Sequence, residues 1–403
     1  ILIFMNVDVV IIGAGIAGSS IARELSKYNI SSVVLEKNND IGLESTSTNH
    51  SLVCQGGDSL TFRPGTLHAE VNIKSIPLWP KLAEELNFPF KRIGGLWLIR
   101  DKADYLKYVK LRSRSFRSSS KPNSPYYIPE GSFKPLEFVD RKTLLDLEPY
   151  VNQEVLGALS DPNLAIIDSY KVAKSMAENA ASNGIEFLFN HEIKKIERSG
   201  INFAVKTNHD EIRASYIINA AGINADRIAE MVGARNFSYV PLKGTLTDFD
   251  EDAGKIINHE VHYLPRMEDL PNLKTAVPTV NGLFRDGIYL EMSYRNNKEI
   301  KKEAVNHNIK AAKELFPSFP FEKHIEKTFT GFMAMTNPET GWHDFIIDIP
   351  NFIPNWVNIV LSPAGVTAAP MLGEKVVDLL RMSGLKLETN PRFDPTSKRG
   401  VGK

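Results

Sequence analysis

The sequence has one cysteine, no excess of either charge and no long apolar run, and each absence excludes a class of protein. Because Cys54 is the only cysteine among 403 residues, intrachain disulfides and zinc clusters built from cysteines are excluded. The 48 basic and 48 acidic residues cancel, so no overall positive field favours nucleic acid. No apolar run approaches the ~20 residues of a membrane-spanning helix. We therefore expect a cytoplasmic protein in a reducing setting that binds no nucleic acid.

Two further signals are also missing. The apolar start, "ILIFMNVDVV", lacks a basic lead and runs directly into the first expected strand, so we do not expect a signal peptide. His259, His262 and His343 are not spaced like the ligands of one metal ion, and no metal is expected.

A glycine motif lies in the stretch "VDVVIIGAGIAGSSIARELSKYNISSVVLEK" at residues 7–37. A β-branched run before the glycines predicts a strand buried in a parallel sheet, and a helical apolar pattern follows them. With the spacing of Gly13, Gly15 and Gly18, the first glycine allows a tight turn, the second admits a pyrophosphate and the third lets the helix approach the strand. Glu36 ends the next strand, where a carboxylate accepts ribose hydroxyls. The combination predicts a dinucleotide site; a glycine-rich turn without a ligand is the alternative.

The order of segments along the chain indicates which dinucleotide is bound. Glu36 would repel the 2′-phosphate of NADP, but it is compatible with both NAD and FAD. The nucleotide-binding pieces are expected at 8–37, about 169–232 and 356–382, separated by antiparallel segments, whereas NAD dehydrogenases normally keep their βαβ units contiguous. The late helix, which follows "SPAG", can bring its positive end near reduced flavin. We therefore expect FAD in an extended form.

The same segment order predicts an α/β fold, in which a Rossmann-like FAD-binding domain is intergrown with an antiparallel-sheet substrate domain. Within it, "FKRIGGLWLIR" reads as a strand, and helices are expected near 298–315 and 367–382. The expected boundaries are 5–75, 150–235 and 350–385 for the discontinuous FAD-binding domain, 76–149 and 236–349 for the substrate or cap domain, and 386–403 for a basic tail.

Several longer motifs occur in the order that a known family has them. Besides the opening stretch, they are "STNHSLVCQGG", "FRPGTLHAEVN", "LEPYVNQEVLGAL", "NAAGINADRIAEMVG", "YVPLKGTLTDFD" and "LSPAGVTAAPMLGEKVVDLL". Over roughly residues 6–384, the sequence resembles the FAD-dependent glycerol-3-phosphate dehydrogenases and oxidases of the D-amino-acid-oxidase-like superfamily. This resemblance implies oxidation of sn-glycerol 3-phosphate to dihydroxyacetone phosphate, with electrons passed to a quinone, or to oxygen in the oxidases.

The glycine turn and the resemblance together indicate which residues contact the flavin and the substrate. The expected FAD contacts are Gly13, Gly15, Ile16, Ala17, Gly18, Glu36, Lys37, Ser45, Thr46, Asn49, Ser51, Leu52, Ile193, Ala221, Gly222, Gly365, Val366 and Thr367. The expected substrate contacts are His50, Arg63, Lys274 and Arg285, and the expected catalytic residues are His50, Cys54 and Lys274.

The sequence also departs from the family pattern at three places. Cys54 stands where the family often has a histidine, the proposed base. Met333 lies in "GFMAMTNP", where an arginine for the substrate anion is common. Ser362 and Pro363 stand near the closing motif, where a lysine or serine is common. We also do not expect the extra C-terminal domain that many relatives have. The FAD site therefore transfers from the resemblance more readily than the substrate does.

Oxidation of an alcohol requires a base near the flavin, and three residues are candidates. His50 is the best local candidate, although a histidine that only hydrogen-bonds the backbone or FAD is an equal alternative. Cys54 is a poor base for an alcohol and fits a small buried filler better. Lys274 could steer an anion or share the proton transfer, or it could be a solvated lysine.

Binding of the substrate anion leaves more alternatives open. Arg63, Arg266, Arg285 and Arg295 are available for a phosphate, and the sequence does not rank them. The first alternative function is FAD-dependent oxidation of a 2-hydroxy acid, such as 2-hydroxyglutarate, or of an amino acid. The second is a flavin-carrying scaffold that has lost its catalytic residues.

A basic stretch at residues 107–121 carries six lysines and arginines and no acid. It suggests contact with anionic lipid or an acidic anchor protein, which would place the protein peripherally on the cytoplasmic face of a membrane beside a quinone or other acceptor. A mobile, solvated loop is the alternative. A homodimer is a further expectation.

Overall fold

The computed structural model describes residues 4–54, 63, 65–119, 136–266, 274–295, 297–336, 344–398 and 400–401, and these form an α/β fold. The helices are α1 Ile16–Leu25, α2 Leu67–Ser75, α3 Trp79–Leu86, α4 Lys102–Ser119, α5 Arg141–Leu147, α6 Ser169–Ser182, α7 Ala225–Glu230, α8 Glu251–Gly254, α9 Lys302–Leu315 and α10 Ala369–Met382. The strands are β1 Phe4–Ile12, β2 Ser32–Leu35, β3 Leu52–Val53, β4 Phe90–Arg92, β5 Gly95–Ile99, β6 Glu137–Asp140, β7 Gly157–Asp161, β8 Ala165–Ile167, β9 Glu186–Leu188, β10 Ile193–Ser199, β11 Asn202–Thr207, β12 Glu211–Asn219, β13 Tyr239–Phe249, β14 Glu260–Tyr263, β15 Thr275–Pro278, β16 Phe284–Met292, β17 Ile325–Thr336, β18 Ile346–Asp348 and β19 Trp356–Val360.

The predicted nucleotide-binding segments form the first sheet, with strand order β10-β11-β12-β1-β2-β9 and with β19 and β18 continuing beside β12. Strand β1 pairs in parallel with both β12 and β2, and β12 pairs in parallel with β19. Every residue of β2 and β19 is buried, as expected for strands covered on both faces. Leu25 of α1, Ala173 of α6 and Leu372 of α10 share one core cluster against this sheet. The carboxyl ends of the parallel strands therefore meet at one edge, where a ligand of such a sheet binds.

The second sheet has the order β17-β13-β16-β15-β14-β5-β7-β6, and every pairing except that of β14 with β5 is antiparallel. Its core is aromatic: the ring of Phe321 lies 4.9 Å from the rings of both Phe249 and Phe284. A small third sheet has the order β3-β8-β4, and its first strand begins directly after the loop that carries His50. The strands of the second sheet thus form a rigid wall opposite the nucleotide edge of the first.

The observed segments differ from the expected ones at two boundaries and in one strand. "FKRIGGLWLIR" is not one strand, because Gly94 adopts a positive φ of 72° and the chain passes from β4 in the third sheet to β5 in the second. Strand β7 pairs with β5 and β6, although the expected boundary put it in the FAD-binding domain. Strand β18 pairs with β19 of the first sheet, although it was assigned to the substrate domain.

The basic stretch is helical where the structure describes it, so the interpretation as a solvated loop is wrong up to residue 119. Helix α4 contains this part of the stretch, and residues 120–121 lie outside the described part. Straight-chain residues such as lysine, arginine and leucine suit a helix, and the Ser- and Pro-rich composition begins only near its end. Among the described residues, no helix has both the length and the apolar character to cross a bilayer.

The described residues of the C-terminal tail pack beside α1 and α6. Thr389 forms an isolated β-bridge with Tyr28, and the amide N–H of Asn390 donates to the carbonyl of Lys27 at 2.7 Å. Further along, the side chain of Asn179 donates to the carbonyl of Asp394 at 2.9 Å. The basic tail is therefore held along α1 and α6.

Candidate active site

The glycine turn after β1 has the geometry of a pyrophosphate cradle. Gly13 adopts a φ of 99°, and a Cβ there would lie 2.7 Å from the carbonyl oxygen of Ala220. A Cβ on Gly18 would overlap the carbonyl of Gly13, so only glycine lets α1 approach this closely. A Cβ on Gly15 would lie 3.2 Å from Oγ1 of Thr46, inside the space in front of α1. The residues present therefore fit a dinucleotide whose phosphates face the amino end of α1.

Glu36 lies where the predicted ribose acceptor should be. It is buried at the end of β2, and its two carboxylate oxygens accept the amide N–H groups of Ala14 at 2.8 Å and Asn38 at 2.9 Å. Burial raises the pKa of its carboxyl, and the two amide donors oppose that shift. The carboxylate is thus fixed beside the cradle. The neighbouring Lys37 pairs with Glu44 at 3.0 Å.

The closing motif forms a turn at 361–368 that leads into α10. Pro363 accepts hydrogen bonds at its carbonyl from Arg63 Nη1 at 3.1 Å and from the ring of His68 at 2.8 Å. Thr367 Oγ1 accepts the amide N–H of Cys54 at 2.9 Å. The helix starts at Ala369 without a side-chain cap, and its positive dipole end faces this turn.

A cavity of about 270 Å³ lies between these motifs and the second sheet. Many predicted contacts line it, namely Ile16, Ala17, Ser45, Thr46, Asn49, His50, Ser51, Leu52, Cys54, Gly222, Gly365 and Val366. Gly13, Gly15, Gly18 and Glu36 lie in the neighbouring cradle. Thr367 and Ala221 are next in sequence to the lining residues Val366 and Gly222, and Ile193 is the first residue of β10. Most of the predicted flavin contacts are therefore brought to one edge of the first sheet.

His50 lies on the cavity wall and is held from the second sheet. Its Nε2 lies 3.2 Å from the carbonyl oxygen of Gly287. Burial, with a smaller contribution from the guanidinium of Arg285, lowers the pKa of its imidazole to about 4, although the hydrogen bond with Gly287 and the carboxylate of Asp248 raise it. This value lies below the ordinary one of about 6.5. At neutral pH the ring is uncharged, as a proton acceptor must be.

Three of the four predicted substrate contacts, Arg63, Lys274 and Arg285, are not among the residues that line the cavity. Lys274 forms an ion pair with Glu314, at the start of β15. Arg285 makes a bidentate pair with the buried Asp248 at 2.6 and 2.9 Å, so its charge is already balanced. Of the other arginines proposed for an anion, Arg266 pairs with Asp101 and Asp104, and Arg295 pairs with Asp226. Among the described cavity-lining residues there is no lysine or arginine.

The opposite wall of the cavity, apart from Met333, was missed from the sequence. It is formed by Gly244, Leu246, Ile288, Gly331, Phe332, Met333 and Ala334, on β13, β16 and β17. Gly244 and Gly331 are register partners, and a Cβ on Gly331 would overlap Thr48 of the loop before His50. Glycine within a strand signals such a close approach, but the sequence alone did not show what approaches.

The fold and the site together define a dinucleotide-binding oxidoreductase. The chain belongs to the FAD dependent oxidoreductase family, whose family model matches residues 8–379. This confirms FAD as the cofactor and the α/β fold with a Rossmann-like domain.

Individual relatives agree with this assignment. The chain is 29% identical over 390 residues to a glycerol 3-phosphate dehydrogenase of Caloramator mitchellensis, covering 96% of this chain and 76% of that protein. It is 26% identical over 397 residues to a glycerol 3-phosphate oxidase of Mycoplasma genitalium, covering 96% and 98%. Its fold is similar to that of dithionite-reduced L-α-glycerophosphate oxidase from Mycoplasma pneumoniae with FAD bound, with a TM-score of 0.84, 24% identity and coverage of 97% and 98%.

Proposed function

We propose that this enzyme oxidises sn-glycerol 3-phosphate to dihydroxyacetone phosphate and passes the electrons to a quinone-type acceptor. The names of the two relatives, each matched over 96% of this chain, support the substrate. The observation that carries the proposal is an uncharged imidazole, that of His50, on the wall of a cavity that adjoins the dinucleotide cradle. This arrangement provides a base beside a hydride acceptor.

The proposed chemistry divides between the cofactor and the side chains. FAD, when bound, supplies the hydride acceptor. His50 takes the proton of the secondary hydroxyl as the carbon–hydrogen bond breaks. Leu246, Ile288 and Phe332 line the opposite wall and exclude water from the reacting carbon. Cys54 also lines the cavity, and its amide is held by Thr367, which suits a packing role better than proton transfer.

For the substrate anion, we propose Arg63 as the principal cation. It is buried, and its guanidinium donates to the carbonyl of Pro363, which lines the cavity. Arg285 is bound by Asp248 and Lys274 by Glu314, which makes both weaker candidates. Replacing Arg63 by glutamine should raise KM for glycerol 3-phosphate far more than it lowers the limiting rate of flavin reduction.

An anaerobic substrate screen tests the proposed function. FAD-loaded protein is mixed with sn-glycerol 3-phosphate, L- and D-2-hydroxyglutarate and a panel of amino acids, and the visible flavin absorbance is followed. We expect bleaching by glycerol 3-phosphate and formation of one dihydroxyacetone phosphate per flavin. Bleaching only by another compound would overturn the substrate, and no bleaching by any compound would support a non-catalytic flavoprotein.

A second candidate substrate class is a 2-hydroxy acid or an amino acid. Met333 lines the cavity at a position where an arginine is common in the family, and the described lining contains no lysine or arginine. A carboxylate has a smaller charge than a phosphate monoester and needs less compensation when it is desolvated. The same screen separates the two classes.

The proposed acceptor is a quinone at the cytoplasmic face of a membrane. The supporting feature is α4, where Leu106 and Val109 are 61% and 49% exposed and alternate with Lys107 and Lys110. Apolar and basic residues together favour an anionic lipid surface. We expect the protein to sediment with phosphatidylglycerol vesicles and a Leu106→Glu/Val109→Glu variant to remain in the supernatant. Wild-type protein that remains in the supernatant in the presence of the vesicles would contradict this part of the proposal.

A further inference from the structure

The loop that carries His50 is fixed by a charged pair on the second sheet. Asp248 on β13 and Arg285 on β16 are direct register partners, so their side chains share one face. Asp248 is fully buried and Arg285 is 11% exposed, and the two form a bidentate ion pair. The guanidinium also donates through Nη1 to the carbonyl of Asn49 at 2.8 Å and lies 5.0 Å from the ring of Phe329. One arginine thus joins the buried carboxylate to the residue immediately before His50.

A bulge in the same strand supplies the partner of the imidazole. Thr247 pairs with Asp286 but Thr245 pairs with Tyr289, so β16 contains one extra residue at this point. Gly287 lies in the bulge with a φ of 137°, a conformation that side chains rarely adopt. Bulges redirect the groups next to a site, and here the carbonyl of Gly287 faces Nε2 of His50.

The direction of this hydrogen bond determines which nitrogen is basic. A carbonyl can only accept, so Nε2 must carry the hydrogen that bridges to Gly287. An uncharged imidazole has one N–H, which leaves the lone pair on Nδ1. Within the described part of the chain, Nδ1 of His50 makes no hydrogen bond. Nε2 of the ring is therefore held by a hydrogen bond, and the lone pair of Nδ1 is available to accept a proton.

We propose that Asp248 and Arg285 are a positioning pair that, with the Gly287 carbonyl, fixes the ring of His50 and presents Nδ1 rather than Nε2 to the substrate. This inference rests on the proposed function only for the identity of the substrate. The charged groups that face His50 are Arg285 from β16 and Asp248 from β13, with Lys327 of β17 at 3.4 Å from Asp248. The guanidinium opposes protonation of the ring and the carboxylate favours it, so loss of either one alone should change the pKa of His50.

The first test needs no substrate. FAD-loaded protein labelled with ¹⁵N and ¹³C in its nine histidines is titrated by NMR, and the signal of His50 is identified by its loss in His50→Gln. We expect the Nε2–H tautomer to persist through neutral and mildly acidic pH. An Nδ1–H tautomer, or a ring that titrates near the ordinary value of about 6.5, would overturn the inference. If the tautomer is as expected but glycerol 3-phosphate does not bleach the flavin, the proposed function fails and this inference stands.

The second test changes the pair and measures flavin reduction against pH with the substrate that reduces wild type. Arg285→Met should slow reduction by ~10²-fold, because misplacing a catalytic group by about 1 Å has that effect. It should also move the acid limb of the profile upward, since the cation is lost while the carboxylate of Asp248 remains. Arg285→Lys should keep the limb near its wild-type pH but recover only part of the rate, because an ammonium cannot hold both Asp248 and Asn49 as a planar fork does.

The chain offers a matched control in Arg295→Met. Arg295 also forms a bidentate pair with a buried aspartate, Asp226, at 2.8 and 2.5 Å, and lies 5.3 Å from the ring of Tyr239. Its loss should affect stability as Arg285→Met does but leave the acid limb unchanged. Equal shifts of the limb in both variants, or none in Arg285→Met, would overturn the positioning role. Should Arg285→Met fail to fold, Arg285→Lys and the wild-type tautomer still decide the question.

Discussion

The two walls of the cavity are built from very different stretches of sequence. The wall at the first sheet comes from compact motifs, chiefly residues 16–17, 45–54 and 361–366, each of which acts through its own local backbone. The opposite wall comes from single residues on β13, β16 and β17, which only strand pairing brings together. The first wall can therefore be recognised from short patterns, whereas the second depends on register, which short patterns do not encode.

The comparison also separates the roles of the two walls. In the proposed enzyme, the first wall would hold the cofactor, and its function depends on space being left empty. The second sheet, through Arg285 and Gly287, would hold the proposed base His50 in place, and its function depends on groups being present. Substitutions in the first wall should therefore weaken FAD binding, whereas loss of the groups that hold His50 should slow flavin reduction.

The largest effect is expected in the first wall, from Gly15→Val. A Cβ there already lies 3.2 Å from Thr46 Oγ1, and the valine methyl groups would fill the space of the pyrophosphate. We expect the purified variant to be colourless and folded, as judged by circular dichroism. Gly184→Ala is the control, because no atom lies within 4 Å of a Cβ at that position and only its φ of 100° is unfavourable. A yellow, fully loaded Gly15→Val protein would mean that the cradle is misplaced.

The next effect is expected at the meeting point of the walls. His50→Ala should slow flavin reduction by ~10²–10⁴-fold, the usual loss when a general base is removed, while FAD stays bound. Cys54→Ser should cost much less, because a near-isostere preserves the packing. Stopped-flow reduction under anaerobic conditions measures both. If Cys54→Ser is the crippling change and His50→Ala reduces at nearly the wild-type rate, the base assignment is wrong.

A stability effect is expected on the second sheet away from the cavity. Burial lowers the pKa of His262 on β14 to about 4, below the unfolded value of 6.5. The carboxylate of Glu260, 3.6 Å from Nε2 of His262, opposes this shift. The unfolded chain binds the proton first, so stability present above pH 6.5 is lost as the pH falls towards 4, by at most about 3 kcal/mol for this one group. His262→Gln should flatten the pH dependence of urea unfolding over this range without changing flavin reduction at neutral pH. An unchanged slope in the variant would show that His262 is not buried uncharged.

The smallest effect is expected from adding a charge to the second wall. Met333→Arg places a cation in a lining that has none among the described residues, and a charge-assisted hydrogen bond contributes about 1.5–3 kcal/mol before its desolvation cost. We expect KM for glycerol 3-phosphate to fall by roughly tenfold, with Met333→Leu unchanged. A KM that rises in Met333→Arg would favour a substrate without a phosphate group.

The sequence predicted most of the first wall and little of the second. The cradle of Gly13, Gly15 and Gly18 follows from sterics within one turn, and the α/β fold and FAD are confirmed. Arg285 was expected to contact the substrate, but it forms an ion pair with Asp248. Only the pairing register of β13 with β16 shows that these two residues are neighbours. The low pKa of His50 was likewise hidden, because burial is a property of the whole fold rather than of the loop.

Helix α4 illustrates the same limit at the surface. Its charge pattern was visible in the sequence, but charge alone did not distinguish a helix from a solvated loop. Tyr108 and Leu111 are buried in one cluster with residues of β5 and β7, and that packing stabilises the helical state. Local composition therefore identified the basic stretch, and tertiary contacts decided its conformation.

The most direct test of the central claim is anaerobic reduction of the FAD-loaded wild-type enzyme by sn-glycerol 3-phosphate with hydrogen or deuterium at C2. We expect loss of the visible flavin absorbance, slower reduction by the deuterated substrate and one dihydroxyacetone phosphate per flavin. An oxidised spectrum that persists in excess glycerol 3-phosphate, but is bleached by a 2-hydroxy acid or an amino acid, would contradict it.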